Sequence, residues 1–247
     1  LCIGLGRKTE TCGDGGVPRY DDVPLHEGLG RELAEGLLAR GFDLAVSRHM
    51  RLDHGFACPL HFLTPAMDVP VVPLLINTIA PPLAPPRRAY QLGGAIGDML
   101  LASGTAARVA VLGTGGLSHA LPIPHPDAPP FAGDAELRAQ MLDGRADPQR
   151  LTRLLVERIK RVGDSGAKRF NEDFDREVID ALRRGAAGEL AERSSEWIAE
   201  QGGNGGQEVR NWLAVAAATR DRPAELLAYE AVQPWLTGMA FMKWQLG

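Results

Sequence analysis

Up to about residue 120 the chain alternates short apolar runs with stretches of helical periodicity, and this alternation narrows the folds open to it. Residues 1–5, 42–47, 69–76 and 108–113 are apolar runs of strand length. Between them, residues 26–40 put Leu29, Leu33, Leu37 and Leu38 on one helical face and stop at Gly41. Residues 54–63 read as a short helix, and residues 89–102 as a longer one behind a proline-rich bend. Residues 14–24, rich in Gly, Pro and Asp, read as a loop. Continuous apolar strands alternating with helices imply burial on both faces. The expected class is therefore α/β, with a mostly parallel central sheet and helices on both faces.

From Asp134 the character changes. Residues 136–141, 148–162, 171–184, 189–200 and 206–220 are charge-rich and helical in period, with Gly-containing turns between them. Residues 225–232 and 237–243 suit terminal strands or short helices equally. The expectation is one domain over 1–247, with an α/β half (1–133) and a mainly helical half (134–247) packed on the sheet. Leu1 opens within a strand-like run and without an initiator Met, so upstream sequence is expected.

Composition excludes several classes. Apolar residues make up 45%, charged residues 23%, and the formal net charge is -4. No basic stretch interleaved with aromatics is present to follow a phosphate backbone, so no nucleic-acid partner is expected. The longest apolar runs fall far short of a membrane span. Three scattered cysteines, Cys2, Cys12 and Cys58, make neither a disulfide framework nor a CxxC site and suit a reducing, cytoplasmic setting.

Of six histidines, two follow strand-like runs directly. His54 lies in Asp53-His-Gly-Phe-Ala-Cys-Pro-Leu60, and His119 in Gly113-Thr-Gly-Gly-Leu-Ser-His119. Loops beyond strand carboxyl ends are where open α/β sheets bind ligands. Gly113, Gly115 and Gly116 let the backbone approach a bound molecule, and Ser118 stands beside them as a further substrate contact. The bland alternative is a strand-to-turn exit and a surface histidine. Gly113–Ser118 is no dinucleotide fingerprint, because Ser118 stands where the last glycine is needed. A third segment, Gly202-Gly-Asn-Gly-Gly-Gln-Glu208, leads a glycine-rich turn into a helix start carrying an acid, which alone reads as a flexible turn.

In order and spacing, Asp53–Leu60, Gly113–His119 and Gly205-Gly-Gln-Glu-Val-Arg-Asn-Trp212 together resemble the class III extradiol dioxygenases. Residues 1–16, 43–46, 69–82 and 233–238 extend the resemblance along nearly the whole chain. It implies Fe(II) held by two histidines and one carboxylate, with positions open for a catechol and O2. Glu208 matches the carboxylate. None of the six histidines matches the two metal ligands, which the resemblance puts upstream of Leu1. The family's acid–base histidines fall on His54 and His119: a catechol must lose a proton, and a proton must be delivered as the ring opens. The glycines before Glu208 would let that helix start approach the metal. Relatives are oligomeric, so a homo-oligomer is expected. Two other readings stay open. One is a relative that has lost its metal; the other is a metal-independent hydrolase or phosphorylase using His119.

Overall fold

A computed structural model describes residues 1–79, 81–103, 108–120, 139, 148–166 and 169–245. Its elements run β1 (Cys2–Gly4), β2 (Lys8–Thr9), β3 (Val23–Pro24), α1 (Glu27–Ala39), β4 (Ala45–Ser47), α2 (His54–Leu63), β5 (Leu74–Leu75) and α3 (Pro86–Ala102). Then come α4 (Pro148–Asp164), α5 (Glu172–Arg183), α6 (Ala187–Ala191), α7 (Ser195–Gly202), a 3₁₀ turn (Gly205–Glu208), α8 (Val209–Ala218), β6 (Glu225–Val232) and β7 (Thr237–Lys243). Among the described residues no helix is long and apolar enough to cross a membrane.

The chain is mixed α/β, but the sheet departs from the mostly parallel one expected. A three-stranded sheet has the order β4-β1-β5, with β1 parallel to β4 and antiparallel to β5. β2 pairs with β3, and β6 with β7, each antiparallel. Pro70 and Pro73 explain much of the difference. Neither can donate to a ladder, so the apolar run 69–76 contributes only Leu74–Leu75 as strand. Residues 108–113, expected as a strand, are described without regular pairing. A Cβ at Gly113 would sit 2.8 Å from the Asn211 carbonyl oxygen, so this run ends against α8. Within the three-stranded sheet Val46 and Leu75 are exposed.

The helices follow the sequence more closely, because caps and apolar stripes are local. His26 Nδ1 accepts from the Leu29 amide at the start of α1, and Gly41, at φ 76°, ends it. Asp53 caps α2 through the Gly55 amide, and Asn171 caps α5 through the Asp173 and Phe174 amides. One expected helix over 189–200 is two. Ser194 caps α7 by accepting from the Trp197 amide, and so breaks the run after α6. The undecided terminal segments form the β6–β7 pair. The helix expected over 136–141 lies outside the described residues apart from Ala139.

One core gathers Ile3, Leu33, Leu37, Leu92 and Met99 from β1, α1 and α3, with Leu5 and Phe42 from the segments that follow β1 and α1. Another gathers Leu117 with Phe174, Val178, Leu182, Ile198, Trp212 and Leu213 from the C-terminal helices. α3 and α8 meet backbone to backbone between them. A Cβ at Gly93 would overlap the Ala214 carbonyl, and one at Gly97 the Ala218 carbonyl. That contact fixes the helix whose first residues follow Glu208.

Candidate active site

His54 is the first residue of α2, and its ring is largely exposed. The preceding Asp53 is committed to capping, which accounts for the Asp-His pair in the sequence. Its ring Nδ1 lies 3.1 Å from Asp14 Oδ2, in the loop after β2. Sequence reading took 14–24 only as a loop and missed this carboxylate. No local pattern signals a pair forty residues apart.

His119 is buried, 5% exposed. Its Nδ1 is 3.0 Å from the Leu117 carbonyl oxygen, an acceptor only, so Nδ1 carries the proton and Nε2 is left with its lone pair. The backbone is held just as firmly: its amide donates to the Gly202 oxygen and its carbonyl accepts from the Gly205 amide, at 2.8 and 2.9 Å. Here the glycine-rich turn finds its reason. A Cβ at Gly205 would stand in the His119 ring, and one at Gly203, where φ is 76°, would collide with the His119 carbonyl. These glycines make room for an imidazole.

Glu208 ends the 3₁₀ turn. Its Oε2 accepts from the Gly116 amide at 2.6 Å and faces His119 Nε2 at 3.8 Å. Burial pushes its carboxyl above the usual carboxylate range, against the opposing pull of His119, the Gly116 amide and His54, with Asp53 pushing the same way as burial. No lysine or arginine among the described residues pairs with it. Gly115, at φ 135°, lies so close that a Cβ would be 2.7 Å from Glu208 Oε2. The loop is tied to α8 by Asn211 Nδ2 donating to the Thr114 oxygen at 2.6 Å and by Trp212 Nε1 donating to the Gly115 oxygen at 3.2 Å. Those two side chains give the Asn-Trp pair of the third motif a concrete role.

The structure thus brings Gly115, Gly116, His119 and Glu208 into contact, with His54 within electrostatic reach of Glu208. Ser118, expected beside the substrate, faces the other way in this structure. It is fully buried; its Oγ bonds the Asn171 backbone and its amide donates to Asp175 Oδ1 at 2.7 Å, so it braces the loop from behind. His61, one face along α2 from His54, is engaged at Nδ1 by Tyr20 Oη at 2.5 Å. His26 is a helix cap, His49 is exposed, and His125 lies outside the described residues. Among the described residues no group of three or more His, Cys, Asp or Glu side chains is placed to hold a metal ion.

The family that this geometry points to is matched over almost the whole chain. Residues 1–240 fit the family of the catalytic LigB subunit of aromatic ring-opening dioxygenases, and the chain belongs to it. It is an enzyme of the oxidoreductase class that opens aromatic rings. Among curated relatives, three proteins named 2,3-dihydroxyphenylpropionate/2,3-dihydroxicinnamic acid 1,2-dioxygenase are similar to it. The one from Mycolicibacterium vanbaalenii is 37% identical over 88% of this chain and 68% of its own length. That from Photorhabdus laumondii is 33% identical over 99% and 78%, and that from Paraburkholderia xenovorans 35% identical over 94% and 74%.

Proposed function

We propose that this protein cleaves a 2,3-dihydroxyphenyl compound beside its diol with O2 and Fe(II), using His119 and His54 as acid–base residues. The substrate class is supported by the names of the curated relatives. The observation that carries the reading is the pairing of His119 Nε2 with Glu208 Oε2 across 3.8 Å, with Nδ1 held by Leu117.

The described residues fit one arm of a two-histidine, one-carboxylate iron site. Glu208 is mostly buried, its side chain 21% exposed, and among the described residues no arginine or lysine neutralises it, which suits a bound cation. His119 is committed through Nδ1 and is assigned to protons, so we assign the two imidazole ligands to sequence upstream of Leu1. The iron supplies open positions for the diol and O2. Every other part falls to the chain itself. His119 Nε2, a lone pair in a water-poor site, takes a phenolic proton, and its protonated form is stabilised by Glu208 beside it. The same Nε2–H returns that proton to an oxygen as the ring opens. His54, at the exposed mouth, exchanges protons with solvent. Gly115 and Gly116 carry no side chains, which lets Glu208 and the His119 ring close up against the loop.

The test is O2 uptake with a 2,3-dihydroxyphenyl compound bearing a short side chain, in iron-loaded protein kept reduced. One O2 per catechol and a yellow ring-opened product are expected. Cleavage between the two hydroxyls, or full activity after chelation, would overturn the reading. His119→Ala and His54→Gln should keep iron and lose roughly 10²–10⁴-fold in turnover. His26 and His49 variants serve as controls. Glu208→Ala should lose iron and turnover together; iron lost from His119→Ala would make that residue a ligand instead.

A further inference from the structure

The loop 12–21 crosses one face of α2. His54, Cys58 and His61 fall at i, i+4 and i+7 and so share that face. Each meets the loop: His54 Nδ1 faces Asp14 Oδ2 at 3.1 Å, Cys58 Sγ faces the Gly15 carbonyl oxygen at 3.6 Å, and His61 Nδ1 faces Tyr20 Oη at 2.5 Å. The close approach depends on glycine. Gly15 adopts φ 65°, and a Cβ there would collide with the His54 Cβ.

We infer that Asp14 is a positioning residue that fixes the His54 ring with its proton on Nδ1 and its lone pair on Nε2. This rests on the reading of His54 as a proton-transfer residue. A carboxylate can only accept, so an Asp14 oxygen 3.1 Å from Nδ1 requires a proton there. The neutral ring then has Nε2 free to accept. The other Asp14 oxygen, Oδ1, is buried with no hydrogen-bond partner among the described residues. The carboxylate is therefore tied to a single imidazole rather than shared through a network. Asp53 has its own task at the α2 cap, and the thiol of Cys58 is directed at a backbone carbonyl, so neither replaces Asp14 at the ring. Glu208 acts on His54 only through space.

Asp14→Asn is the sharpest test, because its amide can turn a donor toward Nδ1 and so favour the other tautomer. Imidazole ¹⁵N shifts at mildly alkaline pH report the tautomer directly, with or without ring cleavage. The ratio of Nδ1–H to Nε2–H at His54 should fall by about tenfold in Asp14→Asn and return in part in Asp14→Glu. In iron-loaded protein kcat should fall roughly tenfold with KM little changed. The melting temperature should change by no more than about 2–4 °C, since the His54 ring is largely exposed and such a pair contributes about 1 kcal/mol or less. An unchanged His54 tautomer in both Asp14→Asn and Asp14→Ala would overturn the inference, as would a lower melting temperature with His54 shifts like those of the parent. If the tautomer changes but no form of the protein cleaves a catechol, the Asp14 assignment stands and the ring-cleavage reading falls.

Discussion

Gly205→Ala separates the packing of the candidate base from its chemistry. Gly205 has no positive φ, so alanine suits the backbone, and only space is at issue. The added Cβ would stand 2.0 Å from both Cδ2 and Nε2 of His119, whereas carbon atoms in contact sit about 3.5–4.0 Å apart. Ring or turn must retreat by roughly 1.5 Å. The ring is boxed in by the Leu117 oxygen on Nδ1, by Gly116 on Cε1 and by Glu208 beyond Nε2. Overpacking of this kind costs about 1–3 kcal/mol, and each kcal/mol lowers the melting temperature of a chain this size by about 2–4 °C. The expected fall is therefore roughly 2–12 °C. A shift near 1 Å at a reacting group costs about 10²-fold in rate, so turnover should drop on that scale. Gly206→Ala is the matched comparison, because its Cβ would meet nothing nearer than 3.6 Å. Circular dichroism melting and O2 uptake on the same preparations decide the matter. Should Gly205→Ala melt and turn over like Gly206→Ala, the close seat of the His119 ring is wrong.

Gly115→Ala should lose turnover for a second reason, since φ 135° strains any L side chain and its Cβ would press on Glu208; iron content measured beside rate would fall with it. Tyr90→Phe tests a site far from the chemistry, where Tyr90 donates to Asp221 Oδ2 at 2.5 Å and its phenol is pushed up to about 12, chiefly by that hydrogen bond. A phenol raised above its unfolded value of about 10 contributes fully below that pH and is lost as pH climbs through the folded value. The variant should thus be less stable by about 0.5–1 kcal/mol in urea at neutral pH, since solvent screens a partly exposed pair, with the gap closing between about pH 10 and 12. A gap independent of pH through that window would mean the bond to Asp221 is not what Tyr90 contributes.

Much of the helical structure was legible because its causes are local. Asp53 capping Gly55 marks the start of α2, and Leu33 and Leu37 mark the buried stripe of α1. The sheet was not, because an apolar run does not say what it lies beside. Residues 108–113 look like a strand yet end against α8, and Pro70 and Pro73 shorten β5. At the site, His54, His119 and Glu208 were found through motif order, and the structure puts the last two face to face. Ser118 was read as a substrate contact beside the glycines, and it is buried with Asp175 and Asn171 holding it from the far side of the fold. Asp14 was invisible for the same reason: its partner is distant in sequence and adjacent only after folding.

The glycine contact between α3 and α8 has a consequence for how the molecule comes apart. Leu92 and Met99 on α3 belong to the core shared with β1 and α1, while Leu213 and Ala216 on α8 belong to the C-terminal core. With Gly93 and Gly97 pressed onto the α8 backbone, neither core can loosen without exposing the other. The four tryptophans, Trp197, Trp212, Trp235 and Trp244, all lie in the C-terminal half, so their fluorescence reports only that half. Circular dichroism sees the helices of both. On denaturation in urea the two signals should trace one curve, because the seam makes a single cooperative unit of two cores.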